Sequence, residues 1–215
     1  MSSDLRRYYA DRAAEYDRVY QKPERQADLA CLREALCARL KGQRVLEVAC
    51  GTGYWTELIG RVAASVLATD VNPEVLAIAK ARCEGIAGVR FVEADAYALT
   101  GVAGDFTAAF AGFWWSHIPK DRIPAFLSAL HSMLPQGGWV IFVDNRYVPG
   151  SSTPIARTDA DGNTYQNRRL QDGRSYEVLK NFPDEGEIRL LLGDAATQVQ
   201  YEALTYYWLV AYRIG

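Results

Sequence analysis

The stretch Arg44–Thr56, R-V-L-E-V-A-C-G-T-G-Y-W-T, decides the fold. Val45, Leu46 and Val48 form a short apolar run, which predicts a buried strand. Gly51 and Gly53 break that run, and Trp55, Leu58 and Ile59 give the residues after it the apolar face of a helix. A strand, a glycine turn and a helix start make a nucleotide-type pocket. The glycines admit a ligand close to the backbone, and the helix start presents N–H groups that have no partner in the helix. G-x-G by itself is a weak signal, and the next element strengthens it. Ser65–Thr69 reads as a second strand ending at Asp70. An acidic residue about 20 positions past such a turn is where ribose hydroxyls are held.

Further along, Asn72 is a good helix cap and Pro73 a good first helical residue, which predicts a helix from Pro73 to about Cys83. A third strand, Val89–Glu93, leads to Asp95 and Ala96. A carboxylate there accepts from an exocyclic amine, or else caps the turn Ala96–Leu99. Phe106–Gly112 reads as a fourth strand and runs into G-F-W-W-S-H-I-P. Ligands of open α/β sheets lie at the carboxyl ends of the strands, so Trp114, Trp115 and His117 are candidates for the substrate wall, with one tryptophan of the pair going to the core. An amphipathic helix around Phe126, Leu127 and Leu130 precedes a fifth strand, Trp139–Val143, which ends at Asp144.

Before the glycine turn, Ser3–Tyr20 is helical in character and rich in tyrosine, and Leu29, Leu32, Leu36 and Leu40 mark a core helix that Gly42 stops. Residues 145–163 form a long loop. Tyr165–Phe182 reads as two strands joined at Asp172-Gly173, followed by a short helix, Pro183–Leu192, and a closing strand pair within Val199–Ile214. A two-residue hairpin loop pairs Arg169 with Tyr176 and Arg168 with Glu177, so that Arg169, Tyr176, Tyr165 and Lys180 share a face. A three-residue loop shifts the pairing by one and puts Arg168 with Tyr176 and Lys180. Either register places Lys180 and one arginine beside Tyr176, a cationic face suited to an anionic group.

The chain has 215 residues, enough for one domain with a full core, and a net charge of −2. That balance implies neither a nucleic-acid partner nor a membrane surface. No apolar run is long enough to span a bilayer, and M-S-S-D-L-R-R lacks the apolar core of a signal peptide, so a cytoplasmic protein is expected. Cys31, Cys37, Cys50 and Cys83 lack ligand spacing and are expected to be reduced and buried. With only His117 and His131 available, no metal site is expected.

E-V-A-C-G-T-G, then T-D-V-N-P, then V-E-A-D-A, resembles the class I S-adenosylmethionine-dependent methyltransferase family, from about Tyr8 to the C-terminus. Ala49 stands where many members have glycine. A nicotinamide fingerprint fits less well, because its third glycine would fall at Thr56. The resemblance implies an α/β, doubly wound, Rossmann-like sheet whose last strand is antiparallel. It also implies a single domain over 1–215, with a helical lid (1–22) and an inserted loop and hairpin cap (145–182). S-adenosyl-L-methionine is then the cofactor, held by Tyr16 of the Tyr16-Asp17 pair, Ala49, Gly51, Thr52, Gly53, Asp70, Val71, Asp95, Ala96 and Gly112.

More closely, the chain is similar to small bacterial methyltransferases acting on single metabolites, phosphonate O-methyltransferases among them. The shared motifs are G-T-G-Y-W-T (Gly51–Thr56), a histidine before I-P (His117) and L-Q-D-G-R-S followed by lysine (Leu170–Ser175, Lys180). The expected reaction is O-methylation of a small anionic or hydroxyl-bearing metabolite by a monomer or homodimer. His117 acts as general base or orienting group, and Tyr20, Trp115, Arg168, Arg169, Tyr176 and Lys180 face the substrate. An N-methyltransferase of a heterocycle, a C-methyltransferase of a quinone-type ring and a non-catalytic cofactor-binding subunit are the alternatives.

Overall fold

The computed structural model describes residues 3–215, with the side chains of residues 3–6 and 14 excepted; residues 1–2 of the expected lid lie outside the described residues. The chain opens with α1 (Ser3–Arg12), continues as a 3-10 helix over Ala13–Tyr20, and enters α2 (Gln26–Leu40). Five strand-led units follow: β1 (Arg44–Val48), α3 (Tyr54–Gly60), β2 (Ser65–Asp70), α4 (Pro73–Arg82), β3 (Val89–Glu93), β4 (Ala108–Gly112), α5 (Ile123–His131) and β5 (Trp139–Asn145). The cap comprises β6 (Arg157–Thr158), β7 (Thr164–Arg169) and β8 (Ser175–Leu179). The chain closes with α6 (Glu185–Leu192), β9 (Ala196–Ala203) and β10 (Tyr207–Ile214).

The central sheet has seven strands in the order β3-β2-β1-β4-β5-β10-β9. β3 to β5 are mutually parallel, and β10 runs antiparallel to both β5 and β9, as the resemblance implied. Alternation along the strands divides the core. Leu46, Val48, Ala109, Val140 and Phe142 face α5 and α6, while Val45, Val66, Ala108 and Ile141 face α2, α3 and α4. Burial on both faces explains the continuous apolar runs that announced these strands.

The strand order reverses between β1 and β4, so their carboxyl ends diverge there and leave a crevice. The N-terminal helical segment and the β6–β8 sheet both border the cavities at that crevice. Asp17 accepts from Thr52 Oγ1 at 2.6 Å and pairs with Arg82, which ties the 3-10 segment to the glycine turn. On the cap side, Tyr176 donates to Asp11 of α1 at 2.5 Å, and Tyr8 packs with Leu170 and Val178.

The cap itself is stitched to the segment leaving β4. Asn181 N–H donates to Ser116 O at 2.8 Å, and Asn181 Nδ2 to Ile118 O at 3.1 Å. The cap takes the three-residue register. Leu170 N–H donates to Arg174 O, Gly173 stands at φ +90°, and Arg168 is opposite Tyr176. Burial of Leu170 against Tyr8 fixes this choice, since slipping the register by one would turn that leucine to solvent. The charge pair of Glu177 is therefore with Arg157 at 2.5 Å, not with Arg168.

The tyrosine-rich terminal stretch is helical, as an α-helix to Arg12 and a 3-10 helix on to Tyr20. One expectation fails on packing. Of the four cysteines, Cys50 and Cys83 are buried, but Cys31 is exposed on the outer side of α2.

Candidate active site

The glycine turn begins in an unusual conformation. Ala49 has φ +56°, Gly51 φ +56° and Gly53 φ +77°. Glycine tolerates this region freely and alanine does not, so Ala49 holds strain that the glycine of related sequences would not. A side chain at Gly53 would come within 2.9 Å of the Ala79 backbone, so this glycine also lets α3 pack on α4.

Asp70, at the end of β2, fastens the turn. Its Oδ2 accepts from Gly51 N–H at 3.0 Å and its Oδ1 from Asn72 N–H at 2.9 Å. A carboxylate can accept several hydrogen bonds, which is the chemistry a ribose diol requires. Asp95 caps the next turn through Tyr97 N–H at 2.8 Å and also lines the cleft, so the two roles proposed for it are compatible. Ala49, Gly51, Thr52, Val71, Ala96 and Gly112 line the same cleft with Tyr16 and Trp114. The fit to S-adenosylmethionine is chemical: a carboxylate for a vicinal diol, small residues where a base must enter, and apolar walls at Val71, Val75 and Trp114. Gly53 lies behind the turn and does not line the cleft.

A second cavity of about 370 Å³ adjoins the first, and Tyr9, Tyr16, Phe113 and His117 line both. Phe113 has φ +60°, a strained conformation for a bulky residue, at the junction of the two. His117 is buried there. Its Nδ1 lies 2.7 Å from Leu179 O, which can only accept, so Nδ1 carries the proton. Nε2 is then an acceptor, and Tyr9 Oη donates to it at 2.6 Å. Burial, reinforced by the charges of Lys180 and Arg168, pushes the imidazole well below its usual pKa. The Tyr9 phenol is pushed well up, chiefly by burial, so it stays protonated.

The second cavity is strongly cationic. Arg12, Arg18, Lys22, Arg25, Arg168, Arg169 and Lys180 line it, against the single carboxylate of Glu15. Among the described residues, Lys180 alone of these cations reaches a carboxylate. Its Nζ lies 3.0 Å from Asp144 Oδ1 and 2.5 Å from Ser116 Oγ, and both partners are fully buried.

Several expected substrate residues stand elsewhere. Trp115 packs edge-on against Phe142 and Trp208 in the core and lines neither cavity; Trp114 is the tryptophan that faces ligand. Tyr176 lines neither cavity because its hydroxyl latches Asp11. Arg169 is exposed at the cavity rim, and Arg168 takes the inward place, held by Gln166 Oε1 at 2.8 Å. Tyr20 does line the cavity, stacked on Tyr54 with ring centroids 3.7 Å apart. Tyr9, Arg12, Arg25, Asp144 and Ser116 were missed. Only Asp144, an acid at the end of an apolar strand, carried a usable signal. Among the described residues, no cluster could hold a metal ion and no helix is long and apolar enough to cross a membrane.

Residues 45–138 match a family model described as a methyltransferase domain. The solved structure of DhpI with SAH is 30% identical, covers 100% of this chain and 99% of its own, and superposes with a TM-score of 0.79. A DhpI complex with SAM and HEP gives 28%, 99%, 99% and 0.79. The ubiquinone biosynthesis O-methyltransferase of Xanthomonas axonopodis pv. citri is 28% identical over 171 residues, 78% of this chain and 68% of that protein. The demethylmenaquinone methyltransferase of Staphylococcus aureus is 29% identical over 107 residues, 48% of this chain, and there the chain spans only 44% of the relative's length. The Asp70 cradle and the full-length match to DhpI agree: the chain belongs to the class I S-adenosylmethionine-dependent methyltransferases, enzymes that draw the methyl group from that cofactor.

Proposed function

We propose that the protein methylates an oxygen of a small anionic metabolite. The observation that carries this reading is the cation-lined cavity that meets the cofactor cleft at Tyr9, Tyr16, Phe113 and His117. Like charges gathered around one cavity repel unless counter-charge arrives, and an anionic acceptor supplies it. The similarity to DhpI, solved with SAM and HEP, and the shared L-Q-D-G-R-S motif support the same class.

When bound, the sulfonium supplies a methyl group already activated for displacement. The chain's residues have the remaining work of orientation and water exclusion. Arg168 and Arg12, which line the cavity, would hold the anionic group. Tyr9 closes the junction, with its hydroxyl fixed by neutral His117. An anionic oxygen needs no base. A hydroxyl acceptor would pass its proton to Tyr9 Oη while Tyr9 passes its own to His117 Nε2. The aromatic wall of Tyr20, Phe182 and Tyr207, with the quinone-pathway names of two relatives, favours a ring acceptor as the second reading.

Turnover of labelled S-adenosylmethionine against alkylphosphonates, hydroxycarboxylates, catechols and demethylated quinols distinguishes the two. Product should form with anionic oxygen acceptors. Methylation confined to neutral rings would overturn the proposal.

A further inference from the structure

Arg25 is not explained by the methyl-transfer junction. It sits at the start of α2, across the cavity from the cap, and is only 8% exposed. Its guanidinium meets neutral acceptors only: Asn145 Oδ1 at 3.4 Å, Ser151 Oγ at 3.1 Å and the Tyr207 hydroxyl. It lies over the rings of Tyr206 and Tyr207, at 5.1 and 5.5 Å from their centroids. Asp28, one turn further along the same helix, forms no ion pair with it and accepts instead from Tyr206 N–H at 2.7 Å. Buried guanidinium groups are ordinarily paired with an anion, because the charge is otherwise desolvated without return. Two aromatic faces and three neutral oxygens hold this one in place, and among the described residues no carboxylate reaches ion-pair distance of it.

The geometry relates Arg25 to the inner cations. Lys180 is anchored on Asp144 and Arg25 on Asn145, consecutive residues at the end of β5. Asn145 also donates to Asp144 Oδ1 through both its N–H at 2.7 Å and its Nδ2 at 3.1 Å. One rigid dipeptide therefore spaces two cationic positions in a single cavity.

We infer that Arg25, with Ser151, is a second anion subsite, and that the acceptor carries two anionic groups. One lies beside Tyr9 and Arg168, where the methyl group is received. The other, a carboxylate, is gripped by the Arg25 fork, whose paired donors match its planar oxygens. This rests on the proposed anionic acceptor and narrows it to a compact two-headed acid.

The test uses matched probes. A series of ω-phosphonocarboxylates, from phosphonoacetate to 5-phosphonopentanoate, is compared with alkylphosphonates that carry an isopropyl group in place of the carboxylate. Binding to the SAH-loaded protein is read by calorimetry, and turnover is read separately. At one chain length, the carboxylate should bind at least about tenfold more tightly, the scale of one charge-assisted hydrogen bond. Arg25→Met should erase that preference while leaving affinity for the isopropyl partner within about twofold, and Ser151→Ala should reduce it severalfold. Equal binding of the two partners by wild type at every length, or a preference that survives Arg25→Met, overturns the subsite. Tight, Arg25-dependent binding without turnover upholds the subsite and refutes the proposed reaction. If Arg25→Met fails to fold, Ser151→Ala decides, and an unchanged preference there counts against the subsite.

Discussion

Replacing Lys180 tests the buried charge pair that ties the cap to the sheet. Lys180 is 3% exposed and Asp144 is 0% exposed. Asp144 also accepts from Ser116 N–H and Ser116 Oγ at 2.9 Å and from Asn145 N–H at 2.7 Å. Removing one partner of a buried pair costs about 3–5 kcal/mol, because the other charge is left uncompensated. Those neutral donors soften the loss, so Lys180→Ala should destabilise the fold by about 3 kcal/mol.

Asp144→Asn combined with Lys180→Met removes both charges and should recover about 2 kcal/mol relative to the sum of the single losses. The pair also has a pH signature. Burial, the largest influence, lowers the Lys180 pKa to about 8, although Asp144 opposes it. The folded pKa lies below the unfolded one, so between about pH 8 and 10.4 the unfolded chain binds more protons and stability rises with pH. This titration contribution, separate from the loss caused by deleting one partner, is absent below about pH 8 and grows as pH climbs toward about 10.4. Urea unfolding at pH 7.5 and 9.5 should therefore give wild type a gain that the double variant lacks. A Lys180→Ala protein within about 1 kcal/mol of wild type, or a double variant as unstable as that single one, would refute the reasoning.

Asp70→Ala should weaken S-adenosylmethionine binding about tenfold or more, since a charged hydrogen-bond partner contributes about 1.5–3 kcal/mol; unchanged affinity in a folded variant would remove Asp70 from the cofactor site. Because the folded pKa of His117 is depressed, its stabilising contribution is present above about pH 6.5 and is lost as pH falls through the folded value. The rate should accordingly stay level between pH 6 and 7.5, and a fall centred near the ordinary imidazole pKa that His117→Asn abolishes would contradict its neutral state. Tyr9→Phe should lower kcat about tenfold or more on a hydroxyl acceptor and much less on an anionic one; equal losses on both would exclude the Tyr9–His117 relay. Ala49→Gly should stabilise the protein by about 0.5–1 kcal/mol, the left-handed strain relieved less the added freedom of the unfolded glycine; destabilisation on urea titration would show that the strain is absent.

How far the sequence could be read follows from which interactions are local. The strand runs, the glycine turn and Asp70 were legible because each is a short pattern with one physical meaning. A buried parallel strand is continuously apolar, and an acid after it has few structural roles. Ala49 was legible as a departure from the family pattern, but the backbone angle of +56° that favours glycine there shows only in the fold. The hairpin was legible to within one residue, and the deciding contact, Leu170 on Tyr8, joins positions far apart in the chain. The same reason hid Tyr9, Arg25 and the Asp144–Lys180 pair. Tyr9 is one of several tyrosines on a terminal helix, and only the fold brings it to His117, 108 residues away. Asp144 and Lys180 are 36 residues apart, and nothing in the sequence around either one names the other as its partner. Trp114 and Trp115 make the point most plainly. They are adjacent and chemically identical, yet the turn after β4 sends one to the cofactor and the other to the core, a choice made by packing against Phe142 and Trp208.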